Sequence, residues 1–136
     1  MTSAERPENK STSGSLSDSP WTGRKILLTG SRGFVGQHLK RHLLAAGADI
    51  TELLRPERDL TVAESLDGCC DGVHTVIHAA GSAHVNHIDA EQVRAVNVTG
   101  TENLLTQAKQ SGVKTFVLLS SILADPEFDT PRSAYG

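Results

Sequence analysis

The sequence predicts an α/β fold, a parallel sheet with helices on its faces. Short apolar runs alternate with segments of helical length along the 136 residues. Those segments are long enough to carry the chain back across a sheet, and only such a crossover lets successive strands run in the same direction. The first apolar run passes into its helix through a glycine-rich loop, a junction that belongs to this architecture.

Residues 1–22 are rich in Ser, Thr, Pro and charge and hold little to bury, so they are expected to be a disordered tail ahead of a domain spanning 23–136. Trp21 marks the domain edge. KILLT (25–29) is a short apolar run ending in glycine and reads as a buried strand. From Phe34 to Ala46, Val35, Leu39, Leu43 and Ala46 recur at helical spacing, and Gly47 is the stop. ADITELL (48–54) is a second strand, closed by Pro56, and residues 61–67 suit a short helix. HTVIHAA (74–80) is a third strand. A long helix then fits from Asp89 to Gln110, with Val93, Val96, Gly100, Leu104 and Ala108 on one face and Gly112 at its close. KTFVLLS (114–120) is a fourth strand. No solenoid-type repeat is present. Right-handed crossovers give an expected strand order of 3-2-1-4, half of a doubly wound sheet.

Composition narrows the function classes. Apolar residues make up 38% of the chain, charged residues 21% and aromatics 4%, enough for one core. The formal charge of -3 offers no basic face, which argues against nucleic acid. The opening residues carry no apolar signal segment, and no run is long enough to cross a bilayer. Cys69 and Cys70 are adjacent, a spacing that strains a disulfide, so packing is the expected role and a reducing cytoplasm the expected setting. His74, His78, His84 and His87 lack carboxylate or thiolate partners at metal-ligand spacing, and no metal site is expected.

The loop Gly30-Ser31-Arg32-Gly33-Phe34-Val35-Gly36 has the context a dinucleotide site requires, with a strand before it and a helix after it. Gly30 allows the tight turn, Gly33 lets the backbone approach a pyrophosphate, and Gly36 permits close helix packing. Amides at the helix start then face the phosphates, aided by the helix dipole. This makes the sheet Rossmann-like. An acid closing the second strand would bind a ribose 2′-hydroxyl and select NAD. Here Leu54-Arg55 stands there, and Arg55 with Arg32 could hold a 2′-phosphate through paired donors, tipping the choice of NAD or NADP towards NADP. An Arg55 simply solvated in its loop is the competing reading.

The spacing G-x-x-G-x-x-G resembles that of short-chain dehydrogenases/reductases, and further segments resemble their extended, sugar-nucleotide epimerase/dehydratase branch. These are Asp59-Leu60 after the second strand, His78-Ala79-Ala80-Gly81 closing the third, and Asn97-Val98-Thr99-Gly100-Thr101-Glu102-Asn103-Leu104-Leu105, similar to the family's N-V-x-G-T-x-N-L-L helix. Together they span residues 25–136. The resemblance implies NAD(P) binding, with Asp59 at the adenine amino group and His78, Ala79, Ala80 and Asn97 around the cofactor.

It also implies chemistry. Ser120-Ser121 closes the fourth strand, and Ser121 (or failing it Ser120) would hydrogen-bond the reacting oxygen; tying down the strand end is the plainer alternative. Pro131-Arg132-Ser133-Ala134-Tyr135-Gly136 resembles the start of the family's Y-x-x-x-K motif, which makes Tyr135 the general acid/base. A free phenol titrates near ~10, too high for base work at neutral pH, and the family's Lys one helical turn on corrects this. The sequence stops before that Lys, and Leu123-Ala124-Asp125-Pro126 departs from the family's usual V-Y-G after the serines. The expectation is therefore the N-terminal portion of a nucleotide-sugar epimerase/dehydratase, inactive as an isolated chain. A non-catalytic NAD(P)-binding module and a truncated gene product are the alternatives. The fourth strand would offer an apolar edge for association, and complete relatives often dimerise through helices.

Overall fold

The computed structural model describes residues 19–82 and 90–121. The strands are β1 (Lys25–Thr29), β2 (Asp49–Leu53), β3 (Thr75–His78) and β4 (Thr115–Leu118); the helices are α1 (Phe34–Ala45), α2 (Ala90–Arg94) and α3 (Gly100–Gln110). Each falls where the hydrophobic pattern places it. The short helix expected at 61–67 is a 3₁₀ turn at Ala63–Leu66, and the long helix expected from Asp89 is interrupted by a π-helical turn at Ala95–Thr99 between α2 and α3. Residues 19–22 already form a turn on the domain, with the Arg24 amide donating to the Trp21 carbonyl and the Gly23 amide to that of Gly47. Trp21 does more than mark an edge, because it packs on the core beneath α1.

All four strands are parallel, but their order is β2-β1-β3-β4 and not 3-2-1-4. The burial of the strands explains the correction. Every residue of β3 is buried, which demands a central place, whereas β2 alternates between exposed and half-buried positions from Asp49 to Glu52 and buries only Leu53, as an edge strand does. Thus β3 pairs with β1 (Leu28 opposite Ile77) on the side away from β2 (Leu28 opposite Glu52). The segment between β2 and β3 forms turns and no further strand beside β2. Successive strands leave β1 in opposite directions, so a crevice opens beyond the carboxyl ends of β1 and β3, where open α/β sheets bind ligands.

The alternation of side chains along β1 divides the core. Ile26 and Leu28 face α1 with Leu43, Ala48 and Ile77. Leu27 faces the other way, with Leu53, Leu66, Cys69, Cys70, Val76, Leu104 and Ala108. The two cysteines are free and buried, their sulfurs 3.6 Å apart, and they serve packing. The outer strand β4 keeps Val117 and Leu118 exposed, and Leu119 just after it is exposed too. Among the described residues, no helix is long and apolar enough to cross a membrane.

Candidate functional site

The glycine loop lies at the carboxyl end of β1, between that strand and α1. Gly30 has φ +68°, and a Cβ on it would lie 2.5 Å from the Ala80 amide nitrogen, so the loop and the end of β3 touch backbone to backbone. A Cβ on Gly36 would collide with the Gly30 carbonyl oxygen. Both positions therefore exclude side chains. The Gly33 amide closes the turn onto the Gly30 carbonyl at 3.0 Å, and the Gln37 side chain holds the Arg32 carbonyl at 2.9 Å. Gly33 then opens α1 with no side-chain cap and no acid in the first turn, so the first helical amides, at Phe34, Val35 and Gly36, face outward uncapped. Phe34 and Val35 are themselves exposed, and neither they nor Gly36 line the cavity beside the loop.

A cavity of about 370 Å³ opens beside this loop, lined among others by Gly30, Ser31, Arg32, Gly33, Leu54 and Arg55. Arg58, Asp59, Leu60, Ala79, Ala80 and Val96 also line it. Ser31 is 3% exposed, yet its hydroxyl has no hydrogen-bond partner, a buried polar atom awaiting one. A more open hollow of about 670 Å³ adjoins it through Ser31, Arg32 and Leu54 and brings in Lys40, Arg41 and Glu52. Glu52 points towards α1 and pairs with Lys40 at 2.7 Å. The Lys40 ammonium holds the Glu52 carboxyl below its usual range, and the nearby Ser31 hydroxyl lowers it further without meeting hydrogen-bond geometry. An uncapped helix start, a cradle that excludes Cβ atoms, an orphaned buried hydroxyl and flanking cations fit a dinucleotide diphosphate.

Several expected site residues hold the walls of this cavity. Asp59 accepts the Thr61 amide at 2.9 Å and the Thr61 hydroxyl at 2.8 Å, which hold its carboxyl below the usual range; its other oxygen lies 3.8 Å from Arg55. His78 does not reach the cavity, because its ring is wholly buried. Asn97 spends its side-chain amide on Ser82, accepting the backbone amide at 2.7 Å and donating to the carbonyl at 3.0 Å. Two more residues of the Asn97–Leu105 segment, Gly100 and Asn103, act in the same way. A Cβ on Gly100 would come within 2.9 Å of Leu60, and Asn103 donates to the Leu60 carbonyl at 2.9 Å. This helix therefore clamps both loops that wall the cavity, at Leu60 and at Ser82.

Ser121 follows β4 at the carboxyl edge of the sheet, the same edge as the glycine loop, and is half-buried there; Ser120 is exposed. Neither lines the cavity. Tyr135, His84, His87 and the loop at 123–126 lie outside the described residues. Among the described residues, no group of three or more His, Cys, Asp or Glu is placed to hold a metal. Sequence reasoning missed Arg58 as a cavity residue. It lies one position before Asp59 and donates to the Ser65 and Asp67 carbonyls at 3.0 and 2.9 Å, contacts that local spacing does not signal.

A doubly wound sheet with a glycine cradle at its switch point defines a dinucleotide-binding class, and comparison with known proteins makes it specific. Residues 26–135 match the NAD dependent epimerase/dehydratase family, and the chain belongs to that family. It is 35% identical over 120 residues to a UDP-glucose 4-epimerase of Vibrio cholerae, covering 76% of this chain and 37% of that protein. It is equally 35% identical over 116 residues to a 3 beta-hydroxysteroid dehydrogenase/Delta 5-->4-isomerase of Mycobacterium tuberculosis, covering 71% of this chain and 31% of that one. A solved short-chain dehydrogenase/reductase superfamily protein from Agrobacterium tumefaciens with bound NAD superposes with a TM-score of 0.70 at 31% identity, covering 82% of this chain and 40% of that one. The chain thus spans about a third of the length of the curated relatives it matches.

Proposed function

We propose that this chain binds NAD or NADP through the Gly30–Gly36 loop and forms the cofactor-binding part of an enzyme that oxidises a secondary alcohol on a nucleotide sugar. The observation that carries the reading is the contact of Gly30 with the Ala80 amide, with the unpartnered Ser31 hydroxyl beside it. That arrangement brings two strand ends to one diphosphate-sized cradle. The α1 amides would hold the diphosphate, and Asp59 and Leu60 would bound the adenine end.

Of the two cofactors, NADP is favoured. Arg32 and Arg55 flank the place where a ribose 2′-phosphate would lie, Arg41 stands in the adjoining hollow, and the carboxylate there, Glu52, is neutralised by Lys40. The bound nicotinamide supplies a reversible hydride acceptor. Ser121 would polarise the reacting oxygen and Tyr135 would take its proton, roles that rest on family resemblance. Re-reduction from the opposite face gives epimerisation, and loss of water gives dehydration. The equal identity to a hydroxysteroid dehydrogenase supports a second reading, in which the secondary alcohol sits on a sterol.

Calorimetric titration of the protein with NAD and NADP tests the cofactor assignment. One-to-one binding with NADP tighter is expected. Heat from neither nucleotide overturns the proposal, and tighter NAD binding overturns the preference. Adding UDP-glucose or a 3β-hydroxysteroid to the protein with NADP and following absorbance of the reduced nicotinamide separates the two substrates.

A further inference from the structure

His78 is 0% exposed at the end of the central strand β3, and both its ring nitrogens are engaged. Nδ1 lies 2.6 Å from the Thr29 hydroxyl, and Nε2 lies 3.0 Å from the Thr101 hydroxyl. The outer ends of this chain of contacts fix its polarity. Thr101 spends its one proton on the Asn97 carbonyl at 2.7 Å, so it must accept from Nε2. Nε2 therefore carries the hydrogen, and Nδ1 offers a lone pair to the Thr29 hydroxyl. Thr29 in turn accepts the Ala80 amide at 3.1 Å. Five groups, from the Ala80 amide to the Asn97 carbonyl, are satisfied in one direction with a neutral imidazole at the centre.

The two ends of this relay are functional places. Ala80 is the residue whose amide nitrogen meets Gly30, on the floor of the cofactor cradle. Asn97 stands in the π-helical turn and clamps Ser82, the next length of the same wall. The relay ties the end of β1, the end of β3 and the helix together beneath the cavity.

We propose that His78 is a positioning residue: through Thr29 and Thr101 it holds the Ala79–Ala80 backbone at the spacing the cofactor cradle needs, and its neutral Nε2–H form sets the affinity for the dinucleotide. The proposal rests on the cofactor reading above. Protonation disturbs the relay in a definite way. A hydrogen on Nδ1 would confront Thr29 with two donors and leave its own buried proton without an acceptor. Burial lowers the imidazole's pKa from its ordinary 6.5. Thr29 from β1, Phe116 from β4 (ring centroids 6.2 Å apart) and Thr101 from α3 surround the ring, with Asn97 behind Thr101; none of them carries a charge.

The test is calorimetric NADP affinity between pH 8 and pH 5 for the wild type, Thr101→Val, Thr101→Ser and His78→Asn. Thr101 is not among the residues lining the cavity. Thr101→Val is expected to weaken binding about fivefold at pH 8, the worth of one net hydrogen bond, while Thr101→Ser restores it. Wild-type affinity is expected to hold near neutral pH and to fall in acid, as the pH approaches the lowered pKa of the buried ring, and His78→Asn to flatten that limb. If wild-type protein binds at pH 8 but Thr101→Val matches it and keeps the same pH profile, the positioning role is overturned with the cofactor assignment intact. If the wild type does not bind at pH 8, it is the cofactor assignment that fails. Should His78→Asn not fold, nitrogen chemical shifts of the wild-type ring decide the tautomer: a lone pair on Nδ1 is expected, and a hydrogen there overturns the relay.

Discussion

Gly36 stands so close to Gly30 that a Cβ on it would collide with the Gly30 carbonyl oxygen. That contact closes the glycine loop onto the first turn of α1.

Gly36→Ala must therefore push α1 away from the loop. Overpacking of this kind costs about 1–3 kcal/mol, so a lower melting temperature is expected together with loss of nucleotide binding. Thermal denaturation with and without NADP measures both; a variant still stabilised by NADP as the wild type is would refute the cradle.

Arg32→Ala is expected to weaken NADP binding about tenfold, since a hydrogen bond to a charged group is worth more than a neutral one, and to leave NAD within about twofold. The measurement is the ratio of the two dissociation constants. An equal loss for both nucleotides would place Arg32 at the diphosphate rather than at the 2′-phosphate.

Acid should destabilise the fold in two windows. His78 has a depressed folded pKa, so the unfolded chain binds the proton more readily; its contribution is complete above 6.5 and is lost as the pH falls through the lower folded value. Glu52 and Asp59 are depressed from 4.5 and 3.8 and contribute in the same sense further down. Urea unfolding from pH 8 to pH 3 is expected to show both limbs, and His78→Asn to remove the upper one. An upper limb that survives in that variant belongs to another group.

Asn103→Ala removes the donor to the Leu60 carbonyl and should loosen the wall at 59–61 for a loss of about 1 kcal/mol. Limited proteolysis after Arg58 reports the loosening, and NADP should suppress it. Cleavage at the wild-type rate would show that Gly100 packing on Leu60 suffices.

The sequence pattern made the strands, α1 and the glycine loop legible because each is a local signal: an apolar run, a 3.6-residue period, a loop confined to seven positions. Strand order was not, because the central place of β3 depends on which face of β1 is left after β2 has paired. Its unbroken buried run, against the alternation in β2, was the available clue. At the site, Gly30 and Gly36 close the loop after β1, and Ala80 meets Gly30 just after β3. His78 and Asn97 do not face the cavity; their side chains meet Thr101 and Ser82, partners 23 and 15 residues away that no local spacing pairs. The π-helical turn that separates α2 from α3 left no mark in the helical period either.

Among the described residues, the edge strand β4 leaves Val117 and Leu118, which point to opposite faces, both uncovered, while β3 and all of β1 after Lys25 are buried. Its amide protons should accordingly be the first of the sheet to trade with deuterium, well before those of Leu28 and Ile77. The sheet would thus come apart from one margin inwards, and any molecule that shielded that margin would register as slowed isotope uptake at residues 115–118.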